Sequence, residues 1–238
     1  TRVQPLLDLS PEAMLEMIPE QSGLYFVGCP NCDEGRQEAQ FGGGGQHQAW
    51  SPLSPLEMRC SYCGHVYPSE QYPMEGVLEV TDPAGNVDRY PYWDDADGYR
   101  HYFGARIDYH RIRYMESAAN TLARLYLITA DDDYARRSAM IIHRFAEVFP
   151  GYCYHFDFPF RQKEIYEGDV APEDFRGGYR TSRWTWWAYQ DVPSLLIEAW
   201  DQLASSEAIA AMDQEMQGRL SIQIEDFLTK YYYDLSVG

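Results

Sequence analysis

Residues 118–135 read Ala118-Ala119-Asn120-Thr121-Leu122-Ala123-Arg124-Leu125-Tyr126-Leu127-Ile128-Thr129-Ala130-Asp131-Asp132-Asp133-Tyr134-Ala135. They hold the end of one helix, a turn and the start of the next. Working backward, Ile107, Ile112, Met115, Ala119, Leu122 and Tyr126 recur at steps of three to five residues. That spacing lines up one face of a long helix from about 105 to near Ile128. Thr129–Asp133 makes the turn, and its acids fall at the next helix's N-terminus, where the dipole favours them. Working forward, Tyr134, Ala135, Met140, Ile141, Ile142, Phe145, Val148 and Phe149 carry a second helix to Pro150, which stops it. The two form an antiparallel helical hairpin. Residues 151–183 read mostly as loop. Asp191-Val192-Pro193 starts a third helix with Leu195, Leu196, Ala199, Trp200 and Leu203 on its core face. Ser206-Glu207 caps a fourth, along which Ile209, Met212, Leu220, Ile224, Phe227 and Tyr231 are spread. Paired helices with no strand after 92 predict a mainly α fold of stacked hairpins: an α/α barrel, a toroid or a solenoid.

The sequence before the helices has a different character. Cys29-Pro30-Asn31-Cys32 and Cys60-Ser61-Tyr62-Cys63-Gly64 are two CxxC pairs separated by 27 residues. Each pair can turn two thiolates onto one ion, and two such knuckles close a tetrahedral zinc site. Two disulfides are the other use of four cysteines, but a CxxC loop is poor structural disulfide geometry. A four-thiolate site leaves no open coordination position, so its expected role is structural. Cys29, Cys32, Cys60 and Cys63 are therefore the predicted zinc ligands, with His47 and His65 left out. Residues 24–27 read as a strand entering the first knuckle, and Met58-Arg59 with His65-Val66-Tyr67 as a hairpin around the second. The spacer between the two pairs holds Gly42–Gly45, a flexible loop that need not pack. Cys153 is left as a core thiol. Val77–Thr81 and Val87–Tyr90 flank a turn rich in Pro, Gly and Asn, which predicts a β-hairpin. Tyr90–Gly98 reads as an irregular aromatic and acidic loop. The domain division is thus 1–98, with a zinc ribbon at about 22–70 and a hairpin at 77–92, followed by a helical region at 99–238.

Composition narrows the function classes. The chain has 238 residues, 45% of them hydrophobic, and a net charge of -18. So acidic a chain is not built for nucleic acid, whose phosphates need a basic face. No apolar run of about 18 residues occurs, so no membrane span is expected. The first residues hold no apolar core of a secretory signal. The basic residues are 17 Arg against two Lys. A guanidinium grips carboxylate or sulfate through paired donors, which an ammonium cannot imitate. Arg106, His110, Arg113 and Tyr114 fall on one helix face, a candidate grip for a uronate or sulfate. Arg180, Arg183, Trp184, Trp186 and Trp187 are the second candidate: indole faces stack on sugar rings while arginines read acid groups.

The residues quoted at the outset, with Tyr109-His110 before them and Phe145-Ala146 and Phe149-Pro150-Gly151-Tyr152 after them, resemble the heparinase II/III-like polysaccharide lyases. Arg183-Trp184 followed by Leu195-Leu196-Ile197-Glu198-Ala199-Trp200-Asp201 is similar to that family's next helix pair. The resemblance covers roughly residues 90–205. It implies an incomplete α/α toroid followed by an antiparallel β-sandwich domain, in a bacterial protein that is either periplasmic, secreted or cytoplasmic. It also implies cleavage of a glycosaminoglycan- or alginate-like acidic polysaccharide by β-elimination, which needs a carboxylate neutraliser, a base and a leaving-group acid. In the family these roles fall to an Asn-His motif, a Tyr and a His of the β domain. Here Asn31, Asn86 and Asn120 are followed by Cys, Val and Thr. The resemblance therefore implies the N-terminal part of a lyase, with catalytic groups beyond Gly238, inactive alone, and partnered by the polysaccharide and the rest of its own chain. Two alternatives stand beside it. One is an α/α-barrel glycoside hydrolase drawing on Asp191, Glu198 and Asp201. The other is a non-enzymatic helical-repeat binding module with a zinc ribbon.

Overall fold

A computed structural model describes residues 2–23, 27–40, 47–81, 87–96, 100–149, 152 and 193–237, the side chains of 37–40, 80–81 and 231–237 excepted. Two units divide the chain. One comprises Thr1–Pro19, Ile112–Pro150 and Tyr189–Gly238, the other Glu20–Arg111 and Gly151–Ala188.

The first unit is helical. It contains α1 (Gln4–Leu7), α2 (Pro11–Leu15), most of α4 (Phe103–Thr129), α5 (Asp132–Val148), α6 (Ser194–Leu203), α7 (Glu207–Glu215) and α8 (Arg219–Val237). The long helix ends as its sequence predicts. Ala130 takes φ 55 and closes the last turn onto Tyr126 O at 2.8 Å. Asp131 then caps α5 by accepting from the Asp133 N–H at 3.1 Å, a preferred use of Asp at this position. Ser138 donates to Ala119 O at 2.8 Å, which ties the two arms of the hairpin. The apolar stripe of α5 (Ala135, Ala139, Ile141, Ile142, Phe145) is fully buried, and this helix packs against α2, α6, α7 and α8.

The fourth expected helix is in fact two. Ser206 caps α7 through Ile209 N at 3.2 Å as predicted, but the helix stops at Glu215. Gln217 and Gly218 take φ 58 and φ 78, and Gly218 N returns to Asp213 O at 2.7 Å. Asp213 Oδ1 accepts from Ser221 N at 3.1 Å and starts α8. A left-handed pair with glycine at the second position is a usual helix end. The short helices α1 and α2 have no counterpart in the sequence prediction.

The second unit holds α3 (Asp33–Gln40) and two small antiparallel sheets. The first is β1 (Gln48–Ser51), β2 (Ser54–Cys60) and β3 (Val66–Tyr67), in that order. Met58 faces Tyr67 and Arg59 faces Val66, the hairpin expected around the second cysteine pair. α3 and β1 occupy much of the stretch expected to be a plain spacer. The glycines 42–45 and residues 24–26 lie outside the described residues, so the strand expected before the first knuckle does too. The second sheet is β4 (Gly76–Thr81), β5 (Val87–Asp94) and β6 (Arg100–His101). Its register runs from Gly76↔Tyr92 to Thr81↔Val87, as the hairpin prediction requires. Tyr90–Asp94 is strand rather than irregular loop, because Tyr90–Tyr92 pair with β4, and Trp93 and Asp94 with His101 and Arg100. Pairing with residues elsewhere in the chain is what the aromatic and acidic composition conceals. Val27, Met58, Tyr67, Tyr90, Tyr102, Phe103, Ala105 and Ile107 form one buried core together with Cys29 and Cys60.

The chain is therefore mostly helical with a small β region. The described helices do not by themselves draw a toroid. No helix among the described residues is long and apolar enough to cross a membrane.

Candidate metal centre and the arginine–histidine face

The two cysteine pairs converge within the β-rich unit. In the first knuckle, Cys29 N bonds Gly35 O at 3.3 Å and Arg36 N bonds Cys32 O at 3.0 Å, so the turn feeds straight into α3. In the second, β2 ends at Cys60. Gly64 N bonds Cys60 O and Cys60 N bonds His65 O, both at 2.9 Å. Gly64 sits at φ 76, a left-handed value that glycine adopts without a Cβ penalty.

The four sulfurs lie within 4.8 Å of one another. Cys29–Cys63 measures 3.6 Å, Cys29–Cys32 3.8 Å and Cys32–Cys60 3.8 Å. A tetrahedron of thiolates about 2.3 Å from a central ion has edges of about 3.8 Å. A disulfide needs about 2.05 Å. The four are free thiols set near the corners of a metal-sized tetrahedron. Burial pushes the Cys29 thiol up, and pushes Cys32 up to about 11. What burial Cys63 has acts the same way, but donation from Asn31 and from the His65 backbone outweighs it and brings this thiol down to about 7. A bound cation would draw off the remaining protons, since thiolate is the ligating form.

The other polar groups nearby are not in the cluster. His65 Nε2 is hydrogen-bonded to Ser69 Oγ at 3.0 Å, and the His47 ring stacks on Tyr62 at 5.5 Å. Three groups that sequence reasoning missed stand behind the thiols. The Tyr67 hydroxyl is 3.0 Å from Cys29 Sγ, and Asn31 Nδ2 donates to Cys63 Sγ at 3.4 Å. Tyr72 in turn donates to Asn31 Oδ1 at 3.0 Å. Only Asn31 had a sequence signal, its place inside a CxxC pair. Cys153 lies outside the described residues.

The four helix-face candidates are differently placed. Arg106 is buried, its guanidinium 4.9 Å from the centre of the Tyr109 ring. His110 lies parallel to the Trp50 ring at 6.2 Å. Burial, and then the charge of Arg106, push the His110 pKa down to about 3. The structure thus brings Arg106 and His110 into one environment, with the imidazole neutral at physiological pH rather than a cation. Arg113 pairs with the buried Glu116 at 3.1 Å. Tyr114 donates to Arg2 O at 3.0 Å, and burial pushes its hydroxyl up to about 12. The second candidate group, Arg180, Arg183, Trp184, Trp186 and Trp187, lies outside the described residues, as does Asp191.

Glu198 is not the plain helix surface its sequence position suggests. Asn120, itself buried on α4, donates to Glu198 Oε2 at 2.7 Å, and Arg124 reaches the same oxygen at 3.4 Å. Gln202 completes the cluster by donating to Glu198 O at 2.9 Å and to Asn120 Oδ1 at 3.4 Å.

Comparison with protein-family models, with curated proteins and with solved structures finds no match for this chain.

Proposed function

We propose that the chain is the N-terminal part of a polysaccharide lyase acting on uronate-containing, glycosaminoglycan- or alginate-like acidic polysaccharide, with a structural zinc ion organising its β-rich unit. The observation that carries the metal half is the spacing of the four sulfurs, all within 4.8 Å of one another and 3.6–3.8 Å apart in three of the pairs. Four thiolates in a tetrahedron suit zinc, a soft site with no position left for substrate. Cys29, Cys32, Cys60 and Cys63 hold it, and its chemistry is to cross-link two loops of a small lobe. Elemental analysis of purified protein tests this. One zinc per chain is expected, and a metal-free protein with all five cysteines titratable as thiols refutes it.

The lyase half is supported by the sequence resemblance over residues 90–205, and by helices at 103–129, 132–148 and 194–203 where that resemblance calls for them. The toroid and the β-sandwich partner domain belong to the same proposal. Of the arginines nominated from sequence, Arg106 is buried and Arg113 is paired with Glu116, which leaves Arg180 and Arg183 to supply charge toward an acidic glycan. His110, held neutral, does not. Elimination further requires neutraliser, base and acid within hydrogen-bond reach of one sugar, and the resemblance assigns those to residues beyond Gly238. The test is ultraviolet detection of unsaturated uronate, using the chain in its complete natural form on a panel of acidic glycans. Product from none of them rejects the lyase.

The second reading is a non-enzymatic helical binding module carrying the same metal lobe. It is favoured by the ties of Arg113, Tyr114 and Glu198 to groups of the chain itself. The same ties weigh against a glycoside hydrolase that would use Glu198, whose carboxylate is held by Asn120 and Arg124. Glycan retention without product distinguishes the module from the lyase.

A further inference from the structure

Tyr67 is wholly buried beside the cysteine cluster. Its ring is stacked on Phe103 at 4.3 Å and flanked by His65 at 4.8 Å and Tyr72 at 5.8 Å. Its hydroxyl lies 3.0 Å from Cys29 Sγ. A phenol has one proton to give and lone pairs with which to accept. A metal-bound Cys29 is a thiolate with no proton, so the phenol proton is directed at sulfur.

This placement is selective. Four thiolates around a divalent ion leave an excess of negative charge, and burying such charge without donors is unfavourable. Cys63 is exposed, where water and Asn31 Nδ2 can relieve it. Cys29 is fully buried, and the Tyr67 hydroxyl at 3.0 Å is a group able to donate to that sulfur once it is a thiolate. Hydrogen bonds to ionised acceptors are the strong ones, and groups that orient metal ligands from behind commonly set metal affinity.

We propose that Tyr67 is a positioning residue of the metal centre, donating its hydroxyl proton to Cys29 Sγ and so fixing the first knuckle and offsetting thiolate charge where solvent does not reach. The inference rests on the metal reading above and goes beyond it by assigning a function to one tyrosine among twenty.

The test is Tyr67→Phe in the whole chain, which keeps the ring and its stacking on Phe103 while removing only the hydroxyl. Zinc affinity is measured by competition with a chromophoric chelator, and the thiolate-to-metal charge-transfer band is recorded after cobalt(II) substitution. Affinity should fall about 10–100-fold, the usual range for losing such a group. The band should move to lower energy, because a thiolate without its hydrogen bond gives up an electron more readily. A purely structural role for the ring predicts neither change. A Tyr67→Phe protein with unaltered affinity and band overturns the proposal. Should the variant not fold, the unsubstituted chain loaded with an NMR-active cadmium isotope gives the decision. A slowly exchanging tyrosyl hydroxyl proton coupled through sulfur to the metal is expected, and its absence overturns the proposal. An unsubstituted chain that binds no zinc, cobalt or cadmium rejects the metal centre itself.

Discussion

Gly35→Ala should weaken metal binding, against the direction that helix propensity alone gives. In an open helical position this exchange stabilises by about 0.4–1 kcal/mol, chiefly by restricting the unfolded chain. Gly35 lies in the first turn of α3, but its position is not open. A Cβ there would stand 2.5 Å from the Cβ of Cys29, 3.1 Å from Cys32 Sγ and 3.3 Å from His47 Nε2. Carbon atoms rest at about 3.5–4.0 Å, so roughly 1 Å has to be found at the first of these contacts. Cys29 has little room to give it. It is fully buried, and its N–H is tied to the carbonyl of Gly35 itself at 3.3 Å. Overpacking of this kind costs about 1–3 kcal/mol. Set against the propensity gain this leaves about 0–2.6 kcal/mol, about 1.3 kcal/mol at mid-range. Because the strained atoms belong to two metal ligands, the cost should emerge as lost affinity, roughly tenfold at mid-range. Competition titration of zinc against a chromophoric chelator measures it. Gly104→Ala is the matched control: it lies in the first turn of α4, with nothing within 4 Å of its added Cβ. That variant should gain about 0.4–1 kcal/mol in a thermal melt and leave affinity unchanged. Zinc binding by Gly35→Ala that equals or exceeds the unsubstituted chain's would refute the reasoning.

Three further outcomes are expected. Chelation should loosen more than residues 20–70, the region to which sequence alone would confine the damage. Cys29 and Cys60 share a core with Tyr90, Tyr102, Phe103, Ala105 and Ile107, so amide exchange should rise along β5 and the first turns of α4 while α5 stays protected; a change confined to 20–70 contradicts this. Asn120→Ala should lower stability by about 1–3 kcal/mol, since it removes a buried donor to a charged acceptor. Arg124→Ala, whose side chain is 64% exposed, should cost under about 1 kcal/mol, and equal melting losses for the two would count against that division. Finally, two groups of α4 should oppose each other in acid. Asp108 is raised to about 6 by burial, against the pull of Arg111. The folded state therefore holds its proton where the unfolded one does not, and from this group stability falls as pH rises from about 4 to 6. His110 is depressed to about 3, so from that group stability falls as pH drops from about 6.5 to 3. Asp108→Asn should steepen the loss of stability between pH 6 and 4 and His110→Phe should reverse its slope, as followed by denaturant titration; parallel pH profiles for both variants and the unsubstituted chain would exclude the pair.

Much of the metal centre is legible before folding, because a CxxC turn is local and chelation chemistry is fixed by residue type. The helical hairpin is legible for a related reason. A period of three to four residues marks its buried face, and Asp131 and Ser206 cap helices using protons from amides two or three residues away. The division between α7 and α8 was harder, since Leu220, Ile224 and Phe227 continue an apolar pattern across it. Only the positive φ of Gln217 and Gly218 shows the break. Tyr90–Asp94 likewise resembles loop in composition, and becomes strand because β4 pairs with its first residues and Arg100 and His101 with its last two.

What the sequence determined by itself is what neighbours along the chain can impose: the thiol pairs, the caps, the β4–β5 hairpin, the helical arms and an arginine-rich surplus of guanidinium on an acidic chain. The tertiary structure decided the properties that depend on distant residues. It put Tyr67 behind Cys29, 38 residues away in sequence, and Asn120 against Glu198, 78 residues away. It also left His110 a neutral ring beside Trp50 instead of a cation on an open helix face. The physical reason is common to all three. A side chain's charge state and its hydrogen-bond partner follow from which surfaces exclude water around it, and that exclusion exists only once segments far apart in sequence have packed together.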